Sequence, residues 1–230
     1  MSRSVESASP VGGPLLAAKP LMRGWLHAGA AGIAVAVTIL LAVRSTGNVG
    51  RMLALVVFGL SMVELYTVSA TYHLGNWSAV VHRRLRAVDH ANIFVMIAGT
   101  YTPLCWIVLS GWLRPVLLIA IWVLAITGVG LATLSLRAPR WLVAGLYVGM
   151  GWVSVFALPA FAHALGILPT AILIVGGVLY TVGAIVYARK WPNPFPKVFG
   201  FHEVFHTFVI AGSAAFTVVI WLWVVPFLPV

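Results

Sequence analysis

The chain has 230 residues, of which 62% are hydrophobic and 8% charged, with a mean hydropathy of +1.05. A soluble domain carries about a quarter of charged residues, so the composition excludes that class and reads as an integral membrane protein. The net charge of +10 invites a nucleic-acid reading, but the fourteen Lys and Arg spread between apolar runs instead of gathering on one face, so no nucleic-acid partner is expected.

In chain order, residues 1–22 are rich in Ser, Pro, Gly and Ala and lack a capping signal before a periodic apolar face; they read as a disordered cytoplasmic tail. The first strong apolar run opens near Gly24. At about 20 residues it exceeds the roughly 7–15 of a signal-peptide core, so it reads as the first span of a transmembrane domain over residues 23–230. A hydrocarbon core of about 30 Å needs roughly 20 apolar residues per helix. Runs of that length predict seven spans, at 24–43, 52–73, 89–110, 113–136, 140–161, 166–188 and 201–225. The fold class is therefore all-α, a polytopic seven-transmembrane helix bundle. GWLRP after Ser110 and the Pro-bounded HALGILP read as tight turns, and Pro103 and Pro159 should kink the spans that contain them. Cys105 is the chain's one cysteine, so no intrachain disulfide can form.

Basic residues accumulate on the cytoplasmic side. The tail and alternate connections hold Arg3, Lys19, Arg23, Arg83, Arg84, Arg86, Arg137, Arg140, Arg189, Lys190 and Lys197, eleven in all, against Arg44, Arg51 and Arg114 on the other side. This count places the N-terminus inside the cell membrane and the C-terminus outside.

Ionisable residues are expensive in hydrocarbon and mark function by default. Those in or at the edges of the spans are His27, Glu64, His73, Asp89, His90, His163, His202, Glu203 and His206. His73 closes span two, Asp89 opens span three, and His202 with His206 opens span seven, so all four fall at the cytoplasmic end of the bundle. His202 and His206 are four apart and share a helix face, the spacing that lets two imidazoles bind one metal ion. Interfacial histidines bonded to headgroups or carbonyls are the plain alternative. With Glu203 the two spell HExxH, a zinc metalloprotease signature. After His206, however, the chain has no His, Asp, Glu or Cys, so a third ligand must come from upstream, and His73 is the best candidate.

Ser69 lies one turn before His73 on the same face, placed to bond a ligand, a water or a substrate carbonyl; a back-bond to its own helix is the alternative. Asp89, at a helix N-terminus, can orient a water or act as general base, or simply cap its helix. Glu203 can approach the same point, or turn to headgroups or to the basic residues of the adjoining connection. Glu64 and His163 read as peripheral, and His90, one residue after Asp89, should face elsewhere.

The stretches SATYH (Ser69–His73), DHANIFVMIAGTYTP (Asp89–Pro103) and HEVFH (His202–His206) resemble the hemolysin III family, the bacterial branch of the progestin and adipoQ receptor (PAQR) family. The resemblance covers nearly all of the chain after the tail. It implies a seven-helix bundle with zinc near the cytoplasmic face, held by His73, His202 and His206, with Asp89 and Ser69 as catalytic residues beside it. It further implies similarity to ceramidase-type lipid amidases and a link to membrane lipid homeostasis, while the family name implies cytolysis. A constitutive membrane bundle shows none of the soluble-to-membrane switch of a pore former.

Three functions compete at this stage. A zinc-dependent hydrolase would act on lipid amides or esters, with membrane lipids and a lipid-like substrate as partners. A non-enzymatic membrane sensor or receptor would use zinc only to staple spans two and seven. An intramembrane protease would depend on Glu203. A retinal photoreceptor is disfavoured because Lys19, Lys190 and Lys197 all lie outside the spans.

Overall fold

The structure, a computed structural model, describes residues 20–134 and 139–227. Among these it is all-helical. The helices are α1 (Trp25–Arg44), α2 (Val49–Leu74), α3 (Ala79–Pro103), α4 (Leu113–Leu134), α5 (Arg140–Gly151), α6 (Leu158–Leu165), α7 (Ile167–Arg189) and α8 (Phe201–Val219). A π-helical turn, Leu104–Val108, prolongs α3, and another, Ile220–Val224, prolongs α8; a 3-10 stretch, Trp152–Ala157, joins α5 to α6. Taken with these extensions the described residues contain seven stretches long and apolar enough to cross a membrane. The expected span count is therefore met.

Neighbours in sequence are neighbours in space. α1 packs on α2, α2 on α3 and α3 on α4; α5 and α6 pack on α7, and α7 packs on α8. Contacts of α1 with α8 join the first span to the last. α3 is the most enclosed of the seven spans, and its polar residues therefore face protein more than lipid. The expected tight joints are present: turn residues 111–112 separate α3's extension from α4, and Gly166 alone separates α6 from α7.

Two boundaries differ from expectation for physical reasons. α3 begins at Ala79, ten residues before the expected start at 89, with the Ser78 hydroxyl accepting the Val81 N–H at 3.4 Å. Arg83, Arg84 and Arg86, expected in a connection, are helical. Hydropathy reports contact with hydrocarbon, whereas an α-helix keeps its backbone bonds in water as well, so the helix runs past the apolar limit. Asp89 consequently lies in the helix interior and does not cap it.

The fifth span is broken at Gly151, upstream of the expected kink at Pro159, which sits in the first turn of α6 where its missing N–H is harmless. Non-helical backbone at membrane depth persists where protein satisfies it. Here the Tyr101 hydroxyl does so, donating to the Gly151 carbonyl at 2.6 Å and accepting the Ser154 N–H at 2.7 Å.

Residues 1–19, most of the expected tail, lie outside the described residues, together with Arg3, Lys19 and Arg137 of the charge count. The segment just before α1 is tied down: Leu21 and Met22 donate their N–H groups to the carbonyls of Lys197 and Val198, each at 3.1 Å.

Candidate metal centre

His73 sits in the last turn of α2, and His202 and His206 stand one turn apart at the start of α8. Helical spacing aims the α8 pair at one side, and the antiparallel course of α2 brings its end to the same level. The three side chains each offer one nitrogen, and these lie within 4.8 Å of one another. His73 Nε2 and His202 Nε2 are 3.0 Å apart. A tetrahedral ion with nitrogen ligands at about 2.0–2.1 Å requires nitrogens about 3.4 Å apart, so the cluster is of the right size and donor type for zinc. His73 and His206 are buried, and His202 is partly so.

The start of α1 closes over this cluster. Gly24 has φ +89°, and a Cβ there would stand 2.9 Å from His73 Cβ and 3.0 Å from Leu74 Cγ; conformation and space both demand glycine. Arg23 pairs through Nε with the Glu203 carboxylate. His27 lies parallel to His206, with ring centroids 3.6 Å apart and planes 9° apart, and packs its edge toward Tyr66 at 5.0 Å. Neither nitrogen of His27, nor Nδ1 of His206, has a hydrogen-bond partner among the described residues, although all three atoms are buried.

Beside the cluster lies a cavity of about 110 Å³. Its polar wall includes His27, Ser69, Asp89, His90, His202 and His206, and its depth is apolar, with Ile93, Ile97, Val209 and Phe216 among the lining residues. His73 does not line it and stands behind His202. Ser69 and Asp89, the two residues named as catalytic, both line this cavity. His90 does not face elsewhere as expected: it lines the cavity, with Nδ1 3.8 Å from the Asp89 carboxylate and Nε2 2.9 Å from the Tyr187 hydroxyl. The packing of α3 explains this: Asp89 and His90 are both partly buried, and His90 meets Tyr187 of α7, so two adjacent directions on the helix both meet protein.

Glu203 is fully buried, accepts the Gly200 N–H at 2.8 Å and pairs with Arg23. Its carboxylate is thus committed to the helix start and to α1, which removes the geometric basis for the protease reading of HExxH. Glu64 is exposed, and His163 is exposed at the end of α6. Both stay peripheral.

Residues 16–217 match the family model described as haemolysin-III related. This chain belongs to the haemolysin III family. Among curated relatives of the family, the "Hemolysin-3 homolog" of Bacillus subtilis (strain 168) is 34% identical over 188 residues, covering 79% of this chain and 83% of the relative. "Hemolysin-3" of Bacillus cereus is 34% identical over 183 residues, covering 78% and 79%. With seven apolar spanning helices, this haemolysin III member is a multi-pass protein of the cell membrane.

The sequence brings His73, His202, His206, Asp89 and Ser69 to one site; it shows His27 only as one of the ionisable residues of the spans, and gives Arg23 and Tyr187 no place there. A signal existed for His27: it opens span one, which starts from the same side as spans three and seven. Tyr187 gave none, since a tyrosine near a span's end is ordinary at a membrane interface.

Proposed function

We propose that the chain is a zinc-dependent hydrolase of lipid amide or ester bonds, with His73, His202 and His206 holding the metal and Asp89 and Ser69 serving the reaction. The observation that carries this reading is the convergence of three histidine nitrogens from two spans beside an apolar cavity that His202, His206, Asp89 and Ser69 line. Zinc bound there supplies Lewis acidity to a carbonyl and lowers the pKa of water. The chain's own residues do the rest. The apolar depth of the cavity takes an acyl chain and excludes water, and Asp89, oriented by Ser69, accepts the proton released on attack and returns it to the leaving group. A role in membrane lipid homeostasis follows from such turnover. The charge count supports placing this end of the bundle at the cytoplasmic face, with the N-terminus inside and the C-terminus outside; a C-terminal reporter active only in the periplasm or outside tests that placement.

The deciding test is elemental analysis of detergent-purified protein, followed by release of fatty acid from N-acyl and O-acyl lipids. Wild type should carry about one zinc per chain and His73→Ala or His202→Ala almost none, with turnover lost in both. A folded wild type that stays metal-free when zinc is supplied refutes the hydrolase reading. Zinc without turnover on any lipid amide or ester would leave a membrane sensor or receptor in which the metal staples α2 to α8.

A further inference from the structure

A histidine that ligates a metal almost always donates its other ring N–H to a carbonyl, carboxylate or water, which fixes the ring's orientation. Were His206 to turn Nε2 to a metal, its other ring nitrogen would have no such acceptor: Nδ1 is buried without a hydrogen-bond partner among the described residues. What touches the ring instead is the His27 imidazole, parallel to within 9° at 3.6 Å. We propose that His27 is a positioning residue for the metal centre, holding the His206 ring by stacking in place of the missing hydrogen bond. The inference rests on the reading of the triad as a metal site, and it adds a residue from a third span, α1, to that site.

Three observations carry it. First, His27 is itself held: it is 3% exposed, packs on Tyr66, and Tyr66 donates its hydroxyl to Ser213 Oγ at 2.6 Å, which in turn donates to the Val209 carbonyl at 3.0 Å on α8. The stacking surface is therefore anchored to the same helix that carries His206. Second, the turn that bears His27 is fastened over the cluster at two more points, through Gly24 against His73 and Arg23 on Glu203. Third, the geometry argues against His27 being a fourth ligand. A ligating imidazole keeps its ion near the plane of its own ring. With the two rings parallel and their centroids 3.6 Å apart, an ion held by His206 would not also meet the plane of His27.

The two roles leave different signatures with Co2+ as the probe. Detergent-purified wild type, His27→Phe, His27→Leu and His27→Ala would be titrated with Co2+, following the d–d absorption band, and the melting temperature of each metal-free protein recorded alongside. Stacking predicts that His27→Phe, which keeps a planar ring, binds within about threefold of wild type with the same band. His27→Ala and His27→Leu should bind about 10–100-fold more weakly, the range typical for loss of a group that orients a ligand. The metal-free melting temperature of His27→Leu should stay near wild type, which separates positioning from a general packing defect. If His27→Phe loses Co2+ as fully as His27→Ala and the band changes shape, His27 is a ligand and the inference is overturned. Wild-type affinity in His27→Ala overturns it as well, with the metal site intact. A wild type that binds no Co2+ overturns both the site and this refinement.

Discussion

The pairing of Arg23 with Glu203 offers a quantitative test of how the centre is built. Breaking a buried ion pair by removing one partner costs about 3–5 kcal/mol, because the remaining charge is stranded. Two features of this pair reduce that figure. The Arg23 side chain is 20% exposed and the Glu203 side chain 1%, so water reaches one partner. Glu203 also keeps the Gly200 N–H at 2.8 Å and lies in the first turn of α8, where the helix dipole favours its charge by about 0.3–1 kcal/mol. Arg23→Ala should therefore destabilise the protein by about 2–3 kcal/mol. At about 2–4 °C per kcal/mol for a chain of this size, the melting temperature should fall by roughly 4–12 °C. Glu203→Gln, which keeps an acceptor for Gly200 and leaves only the partly exposed Arg23 cation without its counter-charge, should cost about 1–2 kcal/mol and leave bound metal in place. The double variant should lose less than the sum of the two, with a coupling of about 1–2 kcal/mol. The assay is thermal unfolding of detergent-purified protein followed by circular dichroism at 222 nm. An Arg23→Ala variant melting within about 1 °C of wild type, or strictly additive losses, would show that the pair contributes nothing and that the clasp of α1 on α8 is incidental.

Further predictions follow from other contacts. Asp89→Asn should retain zinc by elemental analysis while hydrolysis of N-acyl lipids falls by about 100-fold or more, within the range for loss of a general base; unchanged turnover would exclude Asp89 from proton transfer. Tyr101→Phe deprives Gly151 and Ser154 of their partner at the break in the fifth span and should cost about 1–3 kcal/mol, read as a lower melting temperature. Gly99→Ala places a Cβ 2.2 Å from Ser61 Oγ and 2.6 Å from its Cβ, where α3 meets α2, and overpacking of this kind should cost about 1–3 kcal/mol by the same assay. Chelation should lower the melting temperature of wild type and leave His73→Ala unmoved, since a metal bound only by the native state stabilises it by mass action.

Much of the bundle was legible because lipid imposes one rule: apolar runs long enough to span must be helices. That rule finds the seven spans and, through alternation of their direction, brings His73, His202 and His206 to one end. It is silent where lipid is absent. The first ten residues of α3 are basic and capped by Ser78, and hydropathy cannot distinguish such a helical overhang from a loop. The break after Gly151 was hidden for another reason: its stability depends on Tyr101, fifty residues away, and no local pattern encodes that hydroxyl. His27 was visible as an ionisable residue of span one, but its tie to the cluster was not, because a lone imidazole on an apolar helix has no spacing partner of its own. Its partner is His206, on the last span. Glu203 was visible but open in meaning, since the letters HExxH are the same whether the carboxylate faces a metal or, as here, an arginine.

The distance along the chain between the two ends of this clasp bears on how the protein is made. Arg23 and Glu203 are 180 residues apart, and α1 and α2 leave the ribosome long before α8. Until α8 inserts, Arg23 has no carboxylate, His27 no stacking partner and His73 no companion imidazoles, so the earlier spans must wait in the bilayer with these groups near its edge, where Arg and His are tolerated. Insertion of α8 supplies all the missing partners in one event. A chain that stalls or is cut before residue 200 should thus present no partial metal site, and metal capture would report that α8 has inserted.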